Sequence, residues 1–475
     1  MKKIIVLIIT IFVFVNTNFA QQGLTLFYMD RVLQSQWVNP ASDVKYRIHI
    51  GGVLVPAFGQ VPPPLYFNYA NNSFYYNHLF HMGTGDKSDN LVMDIPKFMN
   101  SLRKTTHIRL DAQIELLNIG IQLENHFFSF AITEKIKYGL SLPYDFFEFI
   151  AHGNKPYMLE DKPLDFSKLN SNFSHYREYA FGIYTKDIIE NLNVGGRVKV
   201  LFGQANTTTD VNTFSLYTNP DTYHMTMTTD LALRSSMPFY YDYEVFTDSV
   251  NFDINKSSLD NITPGNYLFN MRNVGFAFDI GGCYKLNNEI DLYISATDLG
   301  LITWNTNPQS FVSKGEFTYK GVELDIFNFD EDIDLHETVI DSINETFRFE
   351  LQEHNYFTWL PSSVYLGGMY KFHPLLHIGA LFRAEFYQKT LLPAFTLSAN
   401  SNLNNWATAH VSYTIANNYF GNLGVGATAK LGFVNWYIVT DNIIGIIFPQ
   451  KAKNLNIRMG CNLVFGKEKA SAPLL

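Results

Sequence analysis

The side chains best placed to do chemistry are charged residues two apart on one strand face. Arg109, Asp111 and Glu115 occupy polar positions of one alternating segment, and Arg383 with Glu385 occupies another. Arg197, Lys199, Asp279, Asp291, Lys430 and Arg458 hold equivalent positions elsewhere. Successive strand side chains point to opposite faces, so residues two apart share a face. Both signs occur in near-equal numbers, whereas an ion-selective pore favours one sign. The chemistry on offer is pairing, because charges withdrawn from water need partners and facing strands supply them. An occluded lumen braced by ion pairs is the expectation, and an open anion or cation pore is the alternative.

Other chemistries find little support. Gly424-Val425-Gly426-Ala427-Thr428-Ala429 spells a dinucleotide fingerprint, but it lies inside an alternating strand rather than in a strand-to-helix turn. Its small residues are expected to permit tight strand curvature. His373 and His377 have helical metal-ligand spacing, yet Pro374 and the flanking strand pattern deny them a helix. His78 and His81 form a loop pair without a carboxylate at a telling distance. No serine sits in a Gly-x-Ser-x-Gly elbow. No catalytic residue, metal or cofactor is expected, and the chain is not expected to be an enzyme. The rings of Pro238-Phe239-Tyr240-Tyr241-Asp242-Tyr243 suit either an apolar ligand or an interfacial girdle.

The elements that carry these residues are strands. Ile108, Leu110, Ala112, Ile114 and Leu116 alternate with Arg109, Asp111, Gln113 and Glu115. The phase then slips to Leu117, Ile119, Ile121 and Leu123, which predicts a β-bulge near Leu116. Leu455, Ile457, Met459, Cys461, Leu463 and Phe465 repeat the pattern before a polar tail. Asn193–Phe202, Val274–Leu286, Glu289–Leu299, Leu375–Tyr387, Leu423–Leu431 and Val434–Thr440 read the same way. Short turns alternate with long connections at Asn71–Thr106, Leu140–Asn172, Asn206–Asn270 and Asn305–Tyr356. That alternation is the topology of a membrane barrel, with the long loops outside.

Composition agrees. The chain is 47% hydrophobic and 16% aromatic, but only 17% charged, against about 25% charged in a soluble domain. The net charge of −9 makes nucleic acid an unsuitable partner. Met1-Lys2-Lys3, the apolar run Ile4–Val15 and Ala20 form a signal peptide, too short to span a bilayer. Cys283 and Cys461 lie in apolar strand patterns and are expected to be free thiols. The expected fold is an all-β transmembrane antiparallel barrel of about fourteen strands, with twelve to sixteen as the range. Short helices are expected in its extracellular loops. The expected divisions are a signal peptide at 1–20, an N-terminal periplasmic or lumenal segment at 21–44, the barrel at 45–465 and a tail at 466–475. No helical hatch is evident in Gln21–Val44.

Three loop stripes have helical spacing: Ile95, Phe98, Met99 and Leu102; Phe146, Phe149 and Ile150, ended by Gly153; and Leu335, Val339, Ile340, Ile343 and Phe347. Asp94 is the expected N-cap of the first. These stripes either cover the barrel mouth or form a lid or partner surface.

Several segments carry a family resemblance. They are Val38-Asn39-Pro40-Ala41, Gly281–Leu286 running on to Thr297–Trp304, Leu423–Gly426, Thr440–Ile443 and Asn462–Gly466. In this order and spacing the chain resembles an uncharacterised Bacteroidota family of outer-membrane barrels of unknown function. That family is similar to long-chain fatty-acid transporter barrels and to the barrel subunit of the type IX secretion system. The resemblance implies fourteen strands, an outer-membrane location and an N-terminal Asn-Pro-Ala motif, matched by Asn39, Pro40 and Ala41. It implies no catalytic residues. Two functions follow as expectations. One is a scaffold or secretion-associated barrel with an occluded lumen that binds proteins through its loops. The other is gated passive uptake of a small hydrophobic compound. Mixed lumen charge and large loops lean toward the first.

Overall fold

The computed structural model describes residues 23–55, 64–83, 90–245, 250–260, 262–320, 350–387, 390–404, 406–416 and 419–466. The expected signal peptide, the helix at Leu335–Phe347 and all but the first residue of the tail lie outside the described residues.

The alternating segments fold as strands. The first stave, β1, comprises Ile48–Gly51 and Leu65–Asn71. It is followed by β2 (Thr105–Leu123), β3 (His126–Pro143), β4 (Asn170–Ile189) and β5 (Leu192–Thr218). Next come β6 (Asn273–Lys285), β7 (Ile290–Trp304), β8 (Ser362–His373), β9 (Leu376–Tyr387) and β10 (Thr390–Asn402). The set ends with β11 (Ala407–Ala416), β12 (Tyr419–Leu431), β13 (Val434–Thr440) and β14 (Asn454–Phe465). Each pairs antiparallel with its sequence neighbour. β14 returns to β1 through Ile48↔Phe465 and Leu65↔Met459, which closes a transmembrane barrel of fourteen strands. Closure satisfies every strand edge, the condition for strands to cross lipid. The β2–β3 register shifts between Glu115 and Leu117, where the sequence pattern slips.

Burial runs opposite to that of a soluble protein. On β14, Asn456, Arg458 and Asn462 are buried, while Phe465 is exposed and Ile457 and Leu463 are partly so. Arg109 is 1% exposed, whereas Phe276 is 63% and Ile294 57% exposed. A soluble sandwich hides its apolar face and wets its polar one. Here the apolar face is outermost and suits hydrocarbon contact. Replacing Ile457 with arginine should therefore cost about 2–4 kcal/mol if the position lies near the bilayer midplane. Equilibrium unfolding from liposomes would measure this, and an unchanged stability would put Ile457 on the wrong face.

Two of the three expected loop helices lie among the described residues, and both form where capping signals place them. Helix α1 (Ile95–Ser101) begins with Asp94 Oδ1 accepting from Lys97 N at 2.9 Å, with Pro96 in its first turn. Helix α2 (Tyr144–His152) ends at Gly153, whose φ of 71° suits glycine. The helices pack together, with the Phe98 and Phe147 rings 5.7 Å apart. The face of α2 that packs is Tyr144, Phe147 and Ala151, whereas Phe149 and Ile150 of its expected stripe are exposed.

One difference concerns β5. The sequence reading ended it at Phe202, but it continues to Thr218. Its upper part pairs with Met225–Ser236, which pairs in turn with Pro308–Tyr319. Thr207-Thr208-Thr209-Asp210 carries polar side chains on both faces. A strand raised above the lipid has no apolar face, so period two disappears from its sequence.

Candidate functional site

The lumen is filled from within the chain. Residues after Gly23 enter the barrel as two short 3-10 turns, Leu26–Tyr28 and Leu33–Trp37. Such short turns leave no helical periodicity, which is why no hatch is evident in the sequence. Leu24, Leu26, Phe27, Met29 and Val32 pack with Tyr365, Leu381 and Tyr437 of the wall. Polar contacts fix the segment at several strands. Thr25 N donates to Asp441 Oδ1 at 2.8 Å, and Thr25 Oγ1 lies 2.7 Å from Ser412 Oγ. Tyr28 Oη donates to the Ala380 carbonyl at 2.8 Å. Gln34 Nε2 donates to Glu115 Oε2 at 2.9 Å, and Ser295 Oγ donates to the Val38 carbonyl at 2.7 Å.

The plug sits on glycines. Asn39 Oδ1 accepts from Ala41 N at 3.0 Å, forming a tight turn against β5 and β6. A Cβ at Gly195 would overlap the Pro40 carbonyl, and one at Gly281 would lie 2.5 Å from Asn39 Oδ1. Gly424 and Gly426, expected to serve strand curvature, instead face Thr25 and Met29 of the plug. The absent side chains are space the plug occupies.

Above the plug lie two ion-pair networks. In the first, Arg109 Nε meets Asp111 at 2.8 Å and its Nη1 meets Glu385 at 2.9 Å, while Arg383 also pairs with Glu385. Asn68 Nδ2 adds a bond to Asp111 at 3.0 Å. In the second, Lys199 reaches Asp298 at 2.6 Å, Asp279 at 2.7 Å and Glu178 at 3.8 Å. Lys135 meets Glu178 at 2.6 Å, and Arg197 meets Asp279 at 3.5 Å. Burial makes each pair strongly dependent on its partner. Next to these charges stands an apolar group of Tyr176, Leu201, Ile302, Trp304 and Tyr356.

The structure brings together seven of the sequence-derived charges: Arg109, Asp111, Arg383 and Glu385 in one network, Arg197, Lys199 and Asp279 in the other. Asp291 is apart and pairs with Lys371 at 3.0 Å. Glu115 is bound by the plug and by Asn118 and Tyr437. Arg458 stacks on Trp37 and Tyr66, at 4.9 and 4.4 Å, and Lys430 lies 4.6 Å from the Tyr46 ring centroid. These three were expected in ion pairs, but among the described residues they have rings and hydrogen bonds as partners. Sequence reasoning missed Lys135, Glu178 and Asp298. Lys135 was findable by extending the alternation from Phe127. Glu178 follows a stretch polar on both faces, and Asp298 sits at a register shift with φ of 56°.

The chain is similar in fold to several solved barrels. The Ralstonia pickettii toluene transporter TbuX is 9% identical with a TM-score of 0.39, over 91% of this chain and 94% of that one. The Pseudomonas putida toluene transporter TodX is 9% identical with a TM-score of 0.36, over 94% and 93%. A Pseudomonas aeruginosa FadL homologue is 9% identical with a TM-score of 0.37, over 90% and 93%. No curated protein matches the chain. One family model matches residues 40–441, from the plug turn through the end of β13, and the chain therefore belongs to the Family of unknown function (DUF5723).

Proposed function

We propose that this protein is a gated outer-membrane barrel whose gate is its own N-terminal segment, and that it admits a small apolar solute when that segment moves. The observation carrying the reading is the plug itself. It fills the lumen, yet it is held by hydrogen bonds and packing, and both cysteines are free thiols. Contacts of that kind can be exchanged, unlike a covalent closure. The apolar group around Trp304 and Tyr356 gives a solute without charge a favourable surface inside the wall.

The plug can be locked to test this. Thr25 and Ser412 touch through their hydroxyls, so Thr25→Cys with Ser412→Cys should form a disulfide across the gate. Outer-membrane fractions should contain both forms. Cells carrying the locked form should admit a hydrophobic naphthylamine fluorophore more slowly than cells carrying the unmodified protein, and reduction should restore the rate. Equal influx in both forms would remove the gate.

A second reading is a scaffold that docks proteins through its loops. The observation favouring it is the sheet of β5, Met225–Ser236 and Pro308–Tyr319, which rises above the barrel. A locked plug that leaves influx unchanged would favour that reading.

A further inference from the structure

The two lumenal networks are each balanced. The first holds Arg109 and Arg383 against Asp111 and Glu385. The second holds Lys135, Arg197 and Lys199 against Glu178, Asp279 and Asp298. Between them stands Lys137, on the inward face of β3 with Lys135 two residues away. Its cross-strand neighbours are Asp111 and Ser174. Asp111 is already taken by Arg109 and Asn68, and Asp298 by Lys199. No carboxylate among the described residues lies within 4 Å of the Lys137 ammonium. The group stands over the Tyr176 ring, 5.9 Å from its centroid. The Tyr176 hydroxyl is buried and has no hydrogen-bond partner among the described residues. Lys137 is mostly buried but keeps some exposure to the lumen. Arg458, Glu115 and Asp441 belong to the plug region and are engaged there.

We infer that Lys137 is an anion site inside the barrel, taking one monovalent anion with the Tyr176 hydroxyl as a second donor. An unmatched ammonium between two closed networks is costly, and one negative charge removes the cost. A monovalent ion suits the balance, because a dianion would restore an excess of the other sign. The charge is supplied by a free inorganic anion or by the carboxylate of a small solute. The site stands whether or not the plug moves.

The test uses purified full-length protein in detergent and zwitterionic buffer. Sodium bromide and sodium benzoate are titrated separately while the midpoint of the heat-modifiable transition is followed. The intact protein should show a rise on the order of 1 °C that grows with the logarithm of the salt concentration. Lys137→Met should fold and lose this rise, and Lys137→Arg should keep it. A rise with both salts assigns a general monovalent-anion site, and a rise with benzoate alone assigns a carboxylate site. Absence of a rise, or the same rise in Lys137→Met, overturns the proposal. Neither result bears on the gate, which is read by fluorophore influx.

Discussion

Replacing Lys199 with methionine is expected to destabilise the barrel by about 3–5 kcal/mol, the cost of breaking a buried ion pair from one side. Lys199 is 2% exposed and faces Asp279, Asp298 and Glu178. Without it, Lys135 and Arg197 alone confront three carboxylates. The side-chain volume is nearly kept, so the loss is electrostatic rather than a cavity. Equilibrium unfolding in liposomes would read the effect. The double variant Lys199→Met with Asp279→Asn removes one charge of each sign and should recover a large part of the loss. The two sites are in contact, so their effects should not add. A single-variant loss below about 1 kcal/mol, the size typical of exposed pairs, would mean that water reaches the network freely.

The second large effect concerns the plug. Gly195→Leu should unseat it, because the new side chain would overlap the backbone of Pro40 and Ala41 rather than a flexible tip. The strand itself can accept leucine at an inward position without losing its ladder. Overpacking of this kind costs about 1–3 kcal/mol, which shifts the closed-to-open equilibrium roughly fivefold to 150-fold. Planar bilayers should show no large steady conductance from the intact protein and frequent openings from Gly195→Leu. Gly426→Ala provides the contrast. Its Cβ meets the Met29 sulfur at 2.8 Å, and that side chain can move aside. Conductance from Gly426→Ala should stay near that of the intact protein. Porin-like steps from the intact chain, or a silent Gly195→Leu, would show that this segment is not what closes the lumen.

Much of the barrel was legible in the sequence. Alternation in Ile108–Leu123 and Leu455–Phe465 reports which side chains face outward, because in lipid every strand carries one fully apolar face. The bulge near Leu116 and the caps at Asp94 and Gly153 are equally local. The candidate site was legible only in part. Inward positions such as Arg109 and Glu385 could be picked out from alternation, but their partnership could not. They are far apart in sequence and meet only because β2 and β9 curve around one lumen.

The sequence by itself therefore determined a membrane barrel of about fourteen strands and which face meets lipid in its strongly alternating strands, while the structure closed it at fourteen. What the sequence determined rests on patterns within ten or twenty residues. Only the tertiary structure decided what fills the barrel. The plug has no periodicity, and its seat is built from Gly195, Gly281, Gly367, Gly379, Gly424 and Gly426, contributed by five strands. The division of the lumenal charges into two balanced networks, with Lys137 left between them, is likewise set by distances across the lumen. No local pattern encodes those distances, because they arise when the last strand closes onto the first.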